Sequence, residues 1–218
     1  MPRTADWFLT APERGNPSTT LDDGRDGDAW SEGNVVVPLV HGAHYFARLL
    51  EVLDATGRGD LVLFTDWRGD PDEHLGRGER VGDVMCGLAR RGVEVCGLVW
   101  RSHPDETRFS EQENRSLSEL VNAAGGDVRL DERVRRAGSH HQKMFVVLHP
   151  GSPERDVAFV GGIDLCHGRN DGCDHRGDPQ PVAIDPRYGP TPGRWILRAS
   201  HPPRRPGLTQ SRCCAPTR

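Results

Sequence analysis

Residues 139–171 read SHHQKMFVVLHPGSPERDVAFVGGIDLCHGRND, two apolar runs separated by the turn-rich HPGSPERD. The runs, residues 140–148 and 157–163, predict adjacent strands or a hairpin. His141 and Lys143 lead the first run two residues apart, so strand alternation places both side chains on one face and His140 on the other. An imidazole that is neutral near pH 7 can attack phosphorus, and a fixed ammonium beside it can hold the non-bridging oxygens where charge gathers. The pair suits phosphoryl chemistry. Gly161 and Gly162 close the second run, and two glycines there let the backbone approach a bound anion with no Cβ in the way.

Upstream the chain alternates helical and extended patterns. Tyr45, Phe46, Leu49, Leu50 and Leu53 mark one face of a helix over residues 43–56, ended by Gly57 and Gly59. Residues 60–67, DLVLFTDW, read as a buried strand. Val81, Val84, Leu88 and Ala89 mark a second helix that stops at Gly92, and residues 93–100 a second strand. Ser110 with Glu113 predicts a capping box ahead of Leu117, Leu120, Val121 and Ala124, and residues 127–130 a third strand. The rhythm predicts an α/β fold, a mixed β-sheet flanked by helices.

Composition narrows the function classes. The 218 residues are 35% hydrophobic, and 26 Gly and 17 Pro supply many turns, as expected for one loop-rich globular domain. The longest apolar runs, residues 61–64 and 144–148, fall far short of the roughly 20 residues that span a bilayer. The N-terminal residues lack the apolar core of a secretory signal. A cytoplasmic or peripheral-membrane location is expected. With 28 basic and 32 acidic side chains the net charge is −4, which weighs against a broad nucleic-acid footprint.

The six cysteines form no CxxC pair and read as free thiols. Cys166, His167, Cys173 and His175 lie close together but lack the usual chelating spacings, so no metal or other cofactor is expected. Residues 16–33 read as a polar surface loop. After Asp185 seven Arg and seven Pro accompany no acidic residue. The expectation is a folded unit over 1–185 and a largely disordered Arg/Pro-rich tail over 186–218.

His141-x-Lys143 followed by VAFVGGIDL and GRND resembles the phospholipase D superfamily, whose signature is H-x-K-x4-D and then a strand ending in Gly-Gly. The segments ADWFLTAPERGNP, EGNVVVPLVHGAHYFARLLEVLDA and GDLVLFTDWRGDP are similar to the opening of the first catalytic half of such enzymes. The resemblance covers roughly residues 5–192. It implies a single half-domain, and a two-step reaction in which one His forms a phosphohistidine while the His of a second motif protonates the leaving alcohol.

Carried over by position, His141 matches the nucleophile, Lys143 the phosphate-holding lysine, and Gly161 and Gly162 the paired glycines of substrate binding. Asp164 stands where many members have Asn. The motif's Asp falls on Leu148, with Glu154 and Asp156 in the following loop as the nearest substitutes. Where members carry Trp-His-Asp, this chain reads Gly193-Arg194-Trp195-Ile196. No second H-x-K occurs. The expected partners are therefore a phospholipid substrate with peripheral membrane contact, and either a second copy of the chain or a separate second half. A truncated inactive fragment and a homodimeric nuclease of the same superfamily are the competing readings. Asp171 is expected to cap a loop or to meet a substrate cation, and Asp66 and Asp70 to lie at the rim of the site.

Overall fold

A computed structural model describes residues 33–76, 78–103, 110–135 and 138–178. The loop expected at 16–33, Gly33 apart, the boundary at 185 and the tail from 186 lie outside the described residues. All regular elements belong to the unit that begins at Leu39. Residues 33–38 contain neither helix nor strand and expose Val35, Val36 and Val37.

In chain order the elements are α1 (Gly42–Asp54), β1 (Leu61–Asp66), α2 (Val81–Arg90), β2 (Glu94–Trp100), α3 (Glu111–Ala123), β3 (Asp127–Asp131), β4 (Met144–Leu148) and β5 (Val157–Val160). The strands form one sheet in the order β3-β2-β1-β4-β5. β1, β2 and β3 are parallel neighbours, and β4 and β5 join antiparallel, so the sheet is mixed and the α/β expectation holds. A single turn of 3-10 helix, Pro153–Arg155, lies in the β4–β5 connection.

One face of the sheet carries the core. Val62 and Phe64, Val95 and Val99, Val128, Phe145 and Val147, and Phe159 alternate inward to meet Phe46, Leu49, Leu50 and Leu53 of α1, Val81, Met85 and Leu88 of α2, and Leu117 and Val121 of α3. Phe64 and Phe145 stack across the β1–β4 pair with ring centroids 5.6 Å apart. Gly97 sits opposite Phe64 because a Cβ there would run into that ring. On the other face Leu61, Leu63, Leu98, Val146 and Leu148 are half-buried, while Met144 and Val160 are exposed.

Two local expectations are corrected. The strand expected from residue 140 starts at Met144, whose partner Thr65 is the last residue of β1 in that ladder. Past Thr65 the β1 chain turns away, with Trp67 N–H bonded to the Asp66 carboxyl and Gly69 bridged to Leu165, so residues 140–143 find no strand to pair with. The capping box at Ser110 does not form. Ser110 makes no side-chain cap bond, and Glu113 turns instead to the Arg68 guanidinium at 3.2 Å. Arg68 is largely buried and takes two carboxylates, Asp70 at 2.7 Å and Glu113, and this long-range pair outweighs a local cap.

Among the described residues no helix is long and apolar enough to cross a membrane.

Candidate active site

The residues singled out by their chemistry converge at one end of the sheet. Parallel β1 and β2 deliver Asp66, Trp67 and Trp100 at their carboxyl ends, the end at which α/β sheets bind ligands. Antiparallel β4 starts there, which brings His141 and Lys143 in, and β5 finishes there, which brings Gly161, Gly162 and Asp164.

His141 is exposed, and its ring stands edge-on to Trp67 with centroids 5.7 Å apart. Lys143 projects from the same stretch toward the same indole, its Nζ 6.0 Å from the ring centroid, but its side chain is only 7% exposed. Trp67 is in turn stacked on the buried Trp100 at 5.8 Å. His141 and Lys143 therefore share one aromatic neighbour even though they precede β4. His140 goes the opposite way, buried against Asp131 with Nδ1 3.3 Å from Oδ2. Burial holds the His140 imidazole below its ordinary value despite the nearby Asp131 carboxylate.

Lys143 Nζ lies 3.0 Å from Asp164 Oδ1, and an Arg169 nitrogen lies 3.3 Å from Asp164 Oδ2. Asp164 is 2% exposed. Beneath it, Asp66 accepts hydrogen bonds from Trp67 N–H at 2.9 Å and Leu165 N–H at 2.8 Å. The expected rim residues are thus buried: Asp66 is 3% exposed, and Asp70 is fully enclosed, bonded to Arg68 and to His167 N–H. Asp70 N–H also reaches the Leu165 carbonyl at 2.8 Å. These bonds lace residues 66–70 to residues 164–167 and fix where Asp164 stands. Tyr45 on α1 faces both carboxyls, and its phenol is pushed up by burial and then by Asp66 and Asp164.

Gly161 and Gly162 are exposed, a Cβ on either would meet open space, and neither has a left-handed φ. Nothing in the surrounding fold requires glycine at these two positions. Of the two acids nearest to position 148, Asp156 accepts the His149 N–H at 2.7 Å just past β4, whereas Glu154 is exposed on the 3-10 turn. Asp171 caps a loop, accepting from Gly177 N–H at 3.0 Å and pairing with His175 Nδ1 at 3.1 Å.

The four candidate chelators do not come together. Cys166 is buried and Cys173 exposed, and His167 lies between Asp70 and Asp72 at 3.1 and 3.0 Å. Among the described residues no group of three or more His, Cys, Asp or Glu is arranged to hold a metal ion.

Residues 68–178 match the family model described as Phospholipase D, half of the chain. The chain belongs to the phospholipase D family. It is 31% identical over 181 residues to phospholipase D alpha 2 of Arabidopsis thaliana, covering 66% of this chain and 22% of that protein. Phospholipase D alpha 1 of Vigna unguiculata is 29% identical over 175 residues, or 64% of this chain and 22% of that protein. Phospholipase D C of Dictyostelium discoideum is 28% identical over 146 residues, or 62% of this chain and 8% of that protein. The chain spans about a fifth of the length of the plant phospholipases D it matches.

The phospholipase D match contains His141, Lys143, Gly161, Gly162 and Asp164 and starts one residue after Trp67. Trp67, Tyr45 and Arg169 are the neighbours that motif reading missed, whereas Asp66 was expected at the rim and stands buried beneath the site. The position of Trp67 directly after Asp66, at the carboxyl end of a predicted parallel strand, was the available signal for it.

Proposed function

We propose that this chain is a phospholipase D-like catalytic half-domain that hydrolyses phospholipid head groups through a phosphohistidine on His141. The observation that carries the reading is the exposed His141 imidazole beside the enclosed Lys143 ammonium, both against Trp67 at the carboxyl end of β1. An accessible imidazole can reach a phosphodiester presented from solvent, and a recessed cation is positioned for the non-bridging oxygens. In the first step a His141 nitrogen bonds to phosphorus as the bond to the head-group oxygen breaks, and the departing alkoxide takes a proton. In the second step water attacks phosphorus, and the phosphorus–nitrogen bond breaks to free the imidazole.

The proton for the leaving group must come from the side of phosphorus opposite the nucleophile. One imidazole cannot occupy both places, and the sequence has a single H-x-K. In this reading the half-domain of residues 1–185 works with a second half, either another copy of the chain or a separate polypeptide, and the Arg/Pro-rich 186–218 is a tail. Gly161 and Gly162 face the substrate, and location is cytoplasmic or at a membrane surface.

The test is hydrolysis of phosphatidylcholine vesicles against protein concentration, alongside mass by light scattering. Specific activity that rises with the dimer population supports the reading, and a confirmed dimer with no activity supports an inactive fragment. Lys143→Ala should lower turnover roughly 10²- to 10³-fold, and Lys143→Arg should rescue poorly because a planar fork does not replace a compact ammonium. Full activity in Lys143→Ala would refute the assignment.

A further inference from the structure

Lys143 is the only lysine among the 28 basic residues of the chain. Its enclosed Nζ meets one oxygen of Asp164, Oδ1, at 3.0 Å. A buried carboxylate given wholly to one ammonium would offset its charge and leave little for a substrate oxyanion. Asp164 is divided instead. Its other oxygen, Oδ2, accepts a hydrogen bond from the Arg169 guanidinium at 3.3 Å, so two cations take opposite ends of one carboxylate. Asp66, the other carboxyl close by, spends one oxygen on the Trp67 N–H and the other on the Leu165 N–H.

The backbone places Arg169. Gly42 opens α1, and a Cβ on it would run into the Arg169 carbonyl oxygen, so the helix and the loop after β5 close up only with glycine at 42. The next helix residue, Ala43, donates its N–H to the Asp171 carbonyl at 3.1 Å, and the Asp171 N–H closes back on the Arg169 carbonyl at 2.9 Å. Between them the buried Asn170 gives its side-chain amide to the His74 carbonyl at 3.3 Å. Residues 169–171 are thus tied to α1 and to the chain after β1. The guanidinium reaches Asp164 from a stretch that lies outside the H-x-K motif.

We propose that Arg169 is a positioning residue for Lys143. By taking Oδ2 it holds Asp164 to a single contact with Lys143, which keeps the other two N–H donors of that ammonium, and part of its charge, for an oxyanion. Arg169 acts through Asp164 and touches no reacting atom. The inference rests on the reading of Lys143 as the oxyanion-holding group and adds the residue that governs its charge.

Because Lys143 is the single lysine, 15N-labelled lysine gives one side-chain ammonium resonance in the full chain, which reports this site alone however many arginines also bind anions. Inorganic sulfate is the probe, titrated into wild type, Arg169→Ala, Asp164→Asn, the double variant and Arg176→Ala. Arg176 follows in the same loop, is exposed and pairs with Asp174 at 2.7 Å, so its loss removes one charge without touching Asp164. Arg169→Ala should weaken sulfate roughly tenfold, the effect of a unit charge a few ångströms away in a partly wet site. Arg176→Ala should change it by less than about twofold, since an exposed charge is screened. In the Asp164→Asn background, Arg169→Ala should cost less than about threefold, because no carboxylate is left to be shared. An equal loss in both backgrounds would show that Arg169 meets the anion itself and would overturn the proposal.

Sulfate-free spectra test the positioning without the anion. The Lys143 resonance should move in Arg169→Ala and stay in place in Arg176→Ala. A resonance indifferent to Arg169 would overturn the proposal whatever Lys143 binds. A resonance that moves with Arg169 but ignores sulfate in the wild type would instead refute the oxyanion role of Lys143, and with it the consequence for affinity.

Discussion

The Trp67 indole stands edge-on to His141, with ring centroids 5.7 Å apart, while its face is stacked on Trp100. The residue is thus held from behind by the core end of β2 and supports the imidazole in front. Because residues 140–143 have no strand partner, this contact supplies lateral support that a ladder would otherwise give.

Trp67→Ala should therefore lower kcat more than it raises KM. Removal of an aromatic pair costs about 0.5–1.5 kcal/mol in packing, and misplacement of a nucleophile by about 1 Å can cost as much as 10²-fold in rate. Trp67→Phe should restore most of the lost turnover. Equal kinetics in wild type and Trp67→Ala would show that His141 is positioned by other contacts.

The two adjacent histidines should separate cleanly by assay. His141→Ala should abolish turnover, whereas His140→Ala should leave a working nucleophile in a less stable fold. His140 has its folded pKa held below the ordinary 6.5, chiefly by burial, so the stability it contributes is present above that value and lost as pH falls. Thermal melts from pH 8 down to pH 5 should show a steeper decline in wild type than in His140→Gln.

Glu73 carries the opposite dependence. It is fully buried, neither carboxyl oxygen has a hydrogen-bond partner among the described residues, and burial followed by the nearby Asp178 pushes its pKa up to about 8. The fold holds this proton better than the unfolded chain does, so stability is lost as pH rises from the ordinary 4.5 to about 8. Glu73→Gln should raise Tm at pH 8 and change it little at pH 4.5. The gain is of the order of a few kcal/mol, since every tenfold tighter hold on a proton corresponds to about 1.4 kcal/mol. A variant with the same pH profile as wild type would show that Glu73 finds a partner in solution.

Gly97→Ala tests the packing that fixes the sheet centre. An added Cβ would strike the Phe64 ring, which cannot swing aside while stacked on Phe145. Destabilisation of roughly 1–3 kcal/mol is expected by urea unfolding. Gly161→Ala, where a Cβ meets open space, should leave stability unchanged and report on ligand approach alone.

The sequence by itself determined the alternation of helices and strands, because each element buries one face and that requirement leaves a local period of 3.6 or 2. It also singled out His141, Lys143, Gly161 and Gly162, close together in one stretch, which the fold brings to one end of the sheet. Local signals misjudged Ser110 and residues 140–143, where a buried guanidinium and the end of a partner strand outweighed the nearby pattern. Only the tertiary structure decided that the Asp66 carboxyl accepts the Leu165 N–H, with nearly a hundred residues between them, and that Asp164, the residue before Leu165, meets Lys143. Nothing periodic relates such positions. Their meeting depends on β4 inserting beside β1 antiparallel to it, which brings the start of one strand to the end of the other.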